Sequence, residues 1–202
     1  MKIIFDLDGT LLCAKKRLHE LFLDLLKDEH IDYDSYWNHK FSGSKNSDIL
    51  RNHFDYSDAK IDIFLIDWMK KIESDYYLDM DVVIVGAKKT LEKYSENNEL
   101  YVCTARQSVS QVHKQLRNLG IFNFFRKIFV TEHKASKEEI IKRSGIIFSK
   151  KDWMVGDTGH DINTGKKIGT NTCAVLSGFM SERSLGDYSP DLMIKNVTCL
   201  DI

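Results

Sequence analysis

The sequence predicts an α/β fold: a Rossmann-like parallel sheet flanked by helices, with an all-helical segment inserted after the first strand. Three observations lead to this prediction. Short apolar runs recur along the chain, and segments with helical periodicity separate several of them. The region from residue 14 to residue 79 interrupts the alternation with two helical stripes. Strands that alternate with helices are typical of parallel sheets.

The predicted strands are six short apolar runs, each followed by polar residues or by glycine. They are KIIF (2–5), LYVC (100–103), KIFV (127–130), WMV (153–155), TCAVL (172–176) and LMI (192–194). Between the second and third runs, Val109, Val112 and Leu116 recur at helical spacing. Ser136 and Glu139 form a capping box, which predicts a helix that begins there and ends near Gly145.

The inserted segment contains two apolar stripes with the spacing of amphipathic helices. The first consists of Leu18, Leu21, Phe22, Leu25 and Leu26, and the second of Ile61, Phe64, Leu65, Trp68, Met69 and Ile72. No strand is predicted between them. Because the first strand precedes this segment, we expect two domains: an α/β core of residues 1–13 and 80–202, and a helical domain of residues 14–79.

Composition and charge favour a cytoplasmic protein and give no indication of nucleic acid or a membrane as its partner. The 29 basic and 30 acidic residues give a net charge of −1, so the charge gives no case for nucleic acid or an anionic membrane as partner. No run approaches the roughly 18 apolar residues of a membrane span, and Asp6 interrupts the apolar N-terminus where a signal peptide would continue. The four cysteines form no CxxC pair, as expected in a reducing compartment.

Chemically useful side chains follow four of the predicted strands. In open α/β sheets, ligands bind outside the carboxyl ends of the strands. The residues at these ends are Asp6 and Asp8; Thr104, Ala105 and Arg106; Thr131, Lys134 and Lys137; and Gly156, Asp157 and Asp161. If these strands are adjacent and parallel, carboxylates, a threonine hydroxyl and a lysine meet at one edge of the sheet.

Each of these groups also has an ordinary structural interpretation. An aspartate at a strand end is commonly a turn residue or a helix cap, and GDTGHD (156–161) can be a turn in which Asp161 caps a helix and His160 is exposed. A calcium loop is excluded, because it needs glycine at position 6 and glutamate at position 12. Counted from Asp6, this chain has Gly9 at position 4 and Arg17 at position 12.

The acids predict a magnesium site. Two carboxylates about 4 Å apart repel each other by about 4 kcal/mol at an effective dielectric constant of about 20. Asp6 and Asp157 therefore need a cation or a large pKa shift if they meet. Oxygen ligands with room for water and phosphate suit Mg²⁺, whereas Zn²⁺ prefers nitrogen and sulfur.

Two lysines compete for one role at this edge of the sheet. The capping box places Lys137 at the first helical position, where the helix dipole disfavours a cation unless an anion lies in front of it. Lys134, in the preceding loop, is the alternative, and a solvated Lys137 is a third possibility.

The ordered motifs DLDGT, VCTAR, a lysine and GDTGHD resemble those of the haloacid dehalogenase superfamily, and more narrowly its small phosphatases of the phosphoglycolate phosphatase type. The resemblance covers about residues 1–13 and 80–202. The helical insertion matches the cap domain of that family by its position and hardly by its sequence. No proline follows either candidate lysine, which is a departure from the common pattern.

The resemblance implies a mechanism and a set of roles. Asp6 would be the nucleophile and form an aspartyl-phosphate, and Asp8 would be the general acid and base. Thr104 and Lys137 would hold phosphate oxygens. Mg²⁺ would bind Asp6, the Asp8 carbonyl and Asp157, with Asp161 supporting its water shell. Substrate contacts would come from Gly9, Thr10, Ala105, Arg106, Gly43 and Lys45, and the alternative for Arg106 is a side chain that only faces solvent.

The implied activity is hydrolysis of a small phosphate monoester, phosphoglycolate or a sugar phosphate, by a monomer or homodimer. A phosphomutase of the β-phosphoglucomutase type shares the chemistry of Asp6 and Asp8 and is the nearest alternative. A non-catalytic regulator that binds a phosphometabolite is the alternative from another class.

Substrate selection in this family normally belongs to the cap, where HKFSGSKNSDIL (39–50) occupies the place of the specificity loop. Gly43 and Lys45 would then reach the substrate. An ordinary polar connection between helices explains the same stretch equally well. The joints of the cap are expected near residues 12–16 and 76–86, with Gly86 as a hinge.

Overall fold

The computed structural model describes every residue from Met1 to Ile202. The chain forms two compact units. The α/β unit comprises Met1–Cys13 and Val82–Ile202, and the helical unit comprises Ala14–Asp81. The helical unit thus includes Met80 and Asp81, which the sequence analysis assigns to the core.

The elements of the two units follow one another in chain order. The strands are β1 (Lys2–Phe5), β2 (Leu12–Cys13), β3 (Val82–Val83), β4 (Glu99–Thr104), β5 (Phe125–Val130), β6 (Trp153–Gly156), β7 (Asn171–Val175) and β8 (Leu192–Ile194). The α-helices are α1 (Lys15–Leu26), α2 (Tyr33–Phe41), α3 (Asn46–Phe54), α4 (Asp58–Lys71), α5 (Asp75–Leu78), α6 (Ala87–Ser95), α7 (Val109–Asn118), α8 (Lys137–Arg143), α9 (Gly159–Ile168) and α10 (Glu182–Gly186). Short 3₁₀ turns lie at Phe122–Phe124 and Val197–Cys199. No helix combines the length and the apolarity that a membrane span requires.

The α/β unit is built on a six-stranded parallel sheet, which confirms the predicted fold class. The strand order is β5-β4-β1-β6-β7-β8, and every neighbouring pair is parallel. β1 therefore lies in the middle, between β4 and β6. A parallel strand covered by helices on both faces is apolar throughout, and this explains why KIIF shows no alternation.

Successive residues of β1 enter two different cores. Ile3 and Phe5 belong to the larger core, with Leu91 of α6 and Leu116 of α7. Ile4 belongs to the core on the other face, which includes Ile141 of α8. The period of two residues thus places helices on both faces of the sheet, and the carboxyl end of β1 lies at the centre of one sheet edge.

The sequence analysis did not find the pair β2–β3. Leu12 pairs with Val83 and Cys13 with Val82 in an antiparallel arrangement. Two residues on each strand are too few to give a periodic signal. This pair lies where the chain leaves the α/β unit for the helical unit and returns from it.

The helical unit is organised around Phe22 of α1. The centre of its ring lies 4.9 Å from that of Tyr36 in α2 and 5.2 Å from that of Phe64 in α4. Both predicted stripes contribute to the interior through Leu21, Phe22, Ile61 and Phe64, and the unit contains no strand. Met69, also part of the second stripe, is exposed.

The helical unit contains a buried ion pair that joins its first helix to its last residue. Arg17 Nε lies 2.9 Å from Asp81 Oδ1, and both side chains are almost fully buried. Arg17 Nη1 also donates to the Ile72 carbonyl oxygen over 3.1 Å. Removing one member of a buried pair leaves an uncompensated charge, which is strongly destabilising.

We therefore expect Arg17→Met to lower the free energy of unfolding by about 3–5 kcal/mol, measured by urea denaturation. The double variant Arg17→Met/Asp81→Leu should recover most of this loss, because no buried charge remains. Arg51→Ala, which breaks the exposed pair with Asp58, is the control and should cost under about 1 kcal/mol. Equal losses for Arg17→Met and Arg51→Ala would contradict this prediction.

Candidate active site

The chain turns sharply after β1. The Leu11 and Leu12 amides both donate to the Leu7 carbonyl, over 3.0 and 2.9 Å. Gly9 has a φ of +88°, and a Cβ at this position would collide with the Asp157 side chain. Gly9 is therefore required both by its backbone conformation and by the close approach of Asp157. The turn keeps Asp6 and Asp8 near the carboxyl end of β1.

Asp6 and Lys137 form a buried ion pair at this sheet edge. Lys137 Nζ lies 2.5 Å from Asp6 Oδ1, and the two side chains are 10% and 8% exposed. Lys134 instead lies 3.2 Å from Glu132 and is 76% exposed. Of the two candidate lysines, Lys137 is thus the one beside Asp6. The helix dipole disfavours a cation at the start of α8, and the negative charge of Asp6 compensates for this effect on Lys137.

Asp161 is the second partner of Lys137. Its Oδ1 accepts from Lys137 Nζ over 2.6 Å, and its Oδ2 accepts from the Thr158 amide and hydroxyl. Asp161 therefore caps α9, as its ordinary interpretation requires, and at the same time fixes Lys137. His160, its neighbour, is exposed.

Asp157 is fully buried and only half satisfied by hydrogen bonds. Its Oδ2 accepts from the Phe179 amide over 2.8 Å. Its Oδ1 has no hydrogen-bond partner. Gly178 lies directly against the same side chain. A Cβ at position 178 would collide with Asp157. An orphaned carboxylate oxygen in a buried site is costly unless another group binds it.

The three buried acids fit a small divalent cation. Ligand oxygens of Asp6, Asp157 and Asp161 all lie within 4.8 Å of one another. The set contains oxygen donors only, which suits Mg²⁺ better than Zn²⁺. The unpartnered Oδ1 of Asp157 is the further sign that the site is built for an ion.

The electrostatics of these acidic groups agree with this interpretation. Burial raises the pKa of Asp6 to about 7, against the lowering effect of Lys137 and with the help of Asp161. Burial, together with Asp6 and Asp161, raises the pKa of Asp157 well above its usual range. Burial opposes the charged form of Lys137, but Asp161 and Asp6 outweigh it and raise the Lys137 pKa well above normal. Asp6 and Asp157 therefore gain from a cation that compensates their buried charges.

The residues after β4 lie in the same α/β unit. Thr104 ends β4, the neighbour of β1, and is buried. Ala105 is exposed, whereas Arg106 is buried and does not face solvent. The Arg106 guanidinium bonds both oxygens of Asp8: Nε donates to Oδ2 over 2.5 Å, and Nη2 donates to Oδ1 over 2.6 Å.

Gly43 and Lys45 lie in the helical unit, between α2 and α3. Gly43 has a φ of +93° and Lys45 precedes the first residue of α3; both are exposed.

The same stretch contains a residue that the sequence analysis overlooked. Lys40 Nζ is mostly buried and donates a hydrogen bond to a neutral group, Asn46 Oδ1, over 3.3 Å.

Burial lowers the pKa of Lys40 from 10.5 to about 8, against the raising effect of Asp48. A lysine whose pKa is lower in the folded than in the unfolded state destabilises the folded protein. The full cost applies below about pH 8, where the side chain is charged in both states, and it vanishes above pH 10.5, where the side chain is neutral in both. We therefore expect Lys40→Met to raise the free energy of unfolding at pH 7 by about 1–2 kcal/mol, and the difference from the unmodified protein to shrink towards pH 10.

Urea denaturation at both pH values measures this difference. Lys45→Met, at an exposed position two residues beyond the Gly43 turn, is the matched control and should differ by under about 0.5 kcal/mol at either pH. A pH-independent effect of Lys40→Met would show that the charge of Lys40 is not the cause.

Three contacts of this site were missed at the level of sequence. They are the Lys137–Asp161 bond, the Asp8–Arg106 pair, and the packing of Gly178 and Phe179 on Asp157. The only sequence signal for the last is the glycine that follows β7 in LSGFM. The Asp8–Arg106 pair joins residues 98 positions apart, and such a pairing leaves no local pattern.

Comparison with known families gives one match that spans most of the chain. The model of the family described as Haloacid dehalogenase-like hydrolase matches residues 3–175. Among curated proteins, pyrophosphatase PpaX of Oceanobacillus iheyensis is 26% identical over 202 residues, which cover 96% of this chain and 92% of that protein.

Solved structures share the fold. A haloacid dehalogenase-like family hydrolase from Streptococcus pneumoniae aligns with a TM-score of 0.78 and 22% identity, over 97% of this chain and 94% of its own. The HAD-hydrolase YfnB from Bacillus subtilis, described as bound to magnesium, aligns with a TM-score of 0.65 and 19% identity, over 96% and 94% of the two chains. At these identities the likeness supports the fold alone.

Proposed function

The chain belongs to the haloacid dehalogenase-like hydrolase family, and from this premise we propose that it is a Mg²⁺-dependent phosphatase that hydrolyses a small phosphate monoester. One observation carries the proposal. Asp6, at the end of the central strand, lies against Lys137 and beside the half-satisfied Asp157. A carboxylate nucleophile, a fixed cation and a place for a divalent ion are what phosphoryl transfer needs.

In the proposed reaction, Asp6 attacks phosphorus, and the bond from phosphorus to the leaving oxygen breaks. Asp8 gives a proton to that oxygen. Asp8 then takes a proton from water, which attacks the aspartyl-phosphate and releases Asp6 and inorganic phosphate. Thr104 and Lys137 hold the phosphate oxygens, and we assign Gly9, Thr10 and Ala105 to contacts with the substrate.

The residues that would hold Mg²⁺ are Asp6, the Asp8 carbonyl and Asp157, with Asp161 in support. The ion would neutralise the negative charge that gathers as the phosphoryl group is transferred. Lys137 contributes to the same end from the protein side, because its ammonium group stays charged beside two acids. We assign the helical unit, Ala14–Asp81, the role of a cap that selects substrates, with Gly43 and Lys45 as contacts.

We expect Mg²⁺ to stabilise the folded protein in thermal denaturation. A ligand at about 100 times its dissociation constant adds about 2.7 kcal/mol to stability. The Asp6 pKa of about 7 means that protons compete with the ion below that pH, so the gain should be larger at pH 8 than at pH 6. Asp157→Asn should abolish the gain, whereas the exposed-pair variant Asp67→Asn should retain it. An unchanged Mg²⁺ effect in Asp157→Asn would contradict the assigned site.

Two substrate classes merit direct comparison. The sequence resemblance favours phosphoglycolate or a sugar phosphate. The name of the Oceanobacillus relative favours pyrophosphate as the second candidate. We place the reaction of either substrate class in a reducing cytoplasm, because all four cysteines are free thiols.

A panel assay tests the proposal. Phosphoglycolate, sugar phosphates and pyrophosphate are incubated with the protein, either with saturating Mg²⁺ or with EDTA. Release of inorganic phosphate only with Mg²⁺ is the expected result. Isomerised sugar phosphate with little free phosphate would identify a mutase, and no turnover of any compound would favour a non-catalytic regulator.

A further inference from the structure

The pair between Asp8 and Arg106 restricts the residue to which we assign proton transfer. Both carboxylate oxygens of Asp8 accept from the guanidinium, one from Nε and one from Nη2. This two-point contact is the strongest geometry that arginine forms with a carboxylate. The side chains are 5% exposed for Arg106 and 18% for Asp8, so water screens the pair only weakly.

A carboxyl group in this arrangement is not ready to act on a leaving oxygen. A proton donor must direct an O–H towards that oxygen, and both oxygens of Asp8 are turned to the guanidinium as acceptors. At least one of the two bonds to Arg106 must therefore break before Asp8 can serve the reaction. Breaking it unaided would leave a buried guanidinium with an incomplete set of partners, which is costly.

Backbone hydrogen bonds hold the loop around Arg106, and the exchange needs only its side chain to move. The Glu132 amide donates to the Arg106 carbonyl over 3.0 Å, and the Thr131 amide donates to the Thr104 carbonyl over 3.1 Å. These bonds tie the loop after β4 to the end of β5. The guanidinium stands at the end of a long side chain and can change partner by rotation while its loop stays in place.

An anionic group of the substrate can take the place of Asp8. Phosphoryl and carboxylate oxygens match the guanidinium fork equally well, so the exchange keeps the cation paired and releases Asp8. We propose that Arg106 is a positioning residue that exchanges Asp8 for a second anionic group on the substrate. This inference rests on the proposed function, in which Asp8 transfers the proton.

The exchange predicts which class of substrate the enzyme prefers. Phosphorylated compounds whose leaving group carries its own negative charge, as a phosphoryl or a carboxylate, release Asp8 when they bind. Esters with a neutral leaving group do not, and they react only when the pair opens by itself. Selectivity for doubly anionic substrates thus arises in the α/β unit, next to the reacting atoms.

The test compares three substrates in the unmodified protein and in Arg106→Gln. Pyrophosphate and phosphoglycolate carry a second anionic group, and 2-hydroxyethyl phosphate is the neutral counterpart of phosphoglycolate. We expect kcat/KM for at least one of the anionic pair to fall about 30-fold or more, because a buried charged contact is lost. For 2-hydroxyethyl phosphate it should stay within about threefold or rise, because Asp8 is no longer held.

The two anionic substrates show which kind of group binds Arg106. If kcat/KM falls with pyrophosphate alone, Arg106 binds a phosphoryl group; if it falls with both, Arg106 accepts either a phosphoryl group or a carboxylate. A uniform loss across all three substrates, or no loss with either anionic one, overturns the inference, because a merely structural pair affects all substrates alike. Arg126→Gln, which breaks the exposed pair with Glu99, is the matched control.

A binding measurement separates failure of this inference from failure of the proposed function. If the unmodified protein releases no phosphate from any compound of the substrate panel, sugar phosphates included, the proposed function fails. Calorimetry with methylenediphosphonate and with methylphosphonate then tests the exchange alone. Arg106→Gln should weaken binding of the diphosphonate by about 30-fold or more and leave methylphosphonate nearly unchanged. Equal effects on both ligands, or none, would refute the exchange.

Discussion

Asp6→Asn is expected to release no measurable phosphate from any substrate that the unmodified protein hydrolyses, a loss of at least about 10⁴-fold in kcat. The amide of asparagine cannot attack phosphorus, and without the attack no aspartyl-phosphate forms. The fold should survive, because the asparagine carbonyl can still accept the hydrogen bond from Lys137 Nζ that Asp6 Oδ1 accepts. Phosphate release with saturating Mg²⁺ measures the loss.

Chemical trapping strengthens this test. With a substrate labelled in its phosphoryl group, acid quenching should leave label on the unmodified protein and none on Asp6→Asn. Asp67→Asn, at the exposed pair with Lys70, should keep both label and turnover. Residual turnover of Asp6→Asn within about tenfold of the unmodified protein would remove Asp6 from the mechanism.

The second large effect is expected from Lys137→Met. Lys137 bonds Asp6 and Asp161 together, and all three side chains are buried. Its removal leaves two buried carboxylates facing each other without their cation. We expect a loss of about 3–5 kcal/mol in the free energy of unfolding in EDTA. Because the variant also lacks a fixed positive charge at the transferring phosphoryl group, kcat/KM should fall by about 10²–10³-fold.

Lys134→Met is the matched control, three residues earlier in the chain. Its ammonium group is exposed and pairs with Glu132 at the surface. Such pairs contribute about 0–1 kcal/mol, and turnover should be unchanged. Urea denaturation and the phosphate assay on both variants decide between the two lysines. If Lys134→Met were the more damaging change, the assignment of Lys137 would be wrong.

The sheet was predictable because burial on both faces leaves an unbroken apolar run. KIIF and TCAVL show this directly, and the polar residues that follow such runs meet at one edge for topological reasons. β2 and β3 were not predictable, because two residues cannot show a period. The C-terminal limit of the helical unit was similarly hard to predict, because the ion pair of Asp81 with Arg17 joins residues far apart in the sequence.

The partners within the site were less predictable than its members. Asp6, Asp157 and Asp161 could be grouped from strand ends, but nothing local indicates that Asp161 bonds Lys137. The choice between Lys134 and Lys137 depends on where the chain turns after β5. The burial of Lys40 depends on how α2 packs, and a lysine in a polar stretch gives no sign of it.

The short β2–β3 pair has a consequence for the evolution of the chain. The strand that leaves the α/β unit and the strand that re-enters it are direct neighbours. Within the helical unit, Arg17 and Asp81 likewise bind each other close to its two ends. A segment with adjoining ends can be exchanged as a cassette by recombination, because its replacement shifts no strand of the sheet. Gene fragments cut after Cys13 and before Val82 therefore offer a natural junction for building chimaeras with related chains.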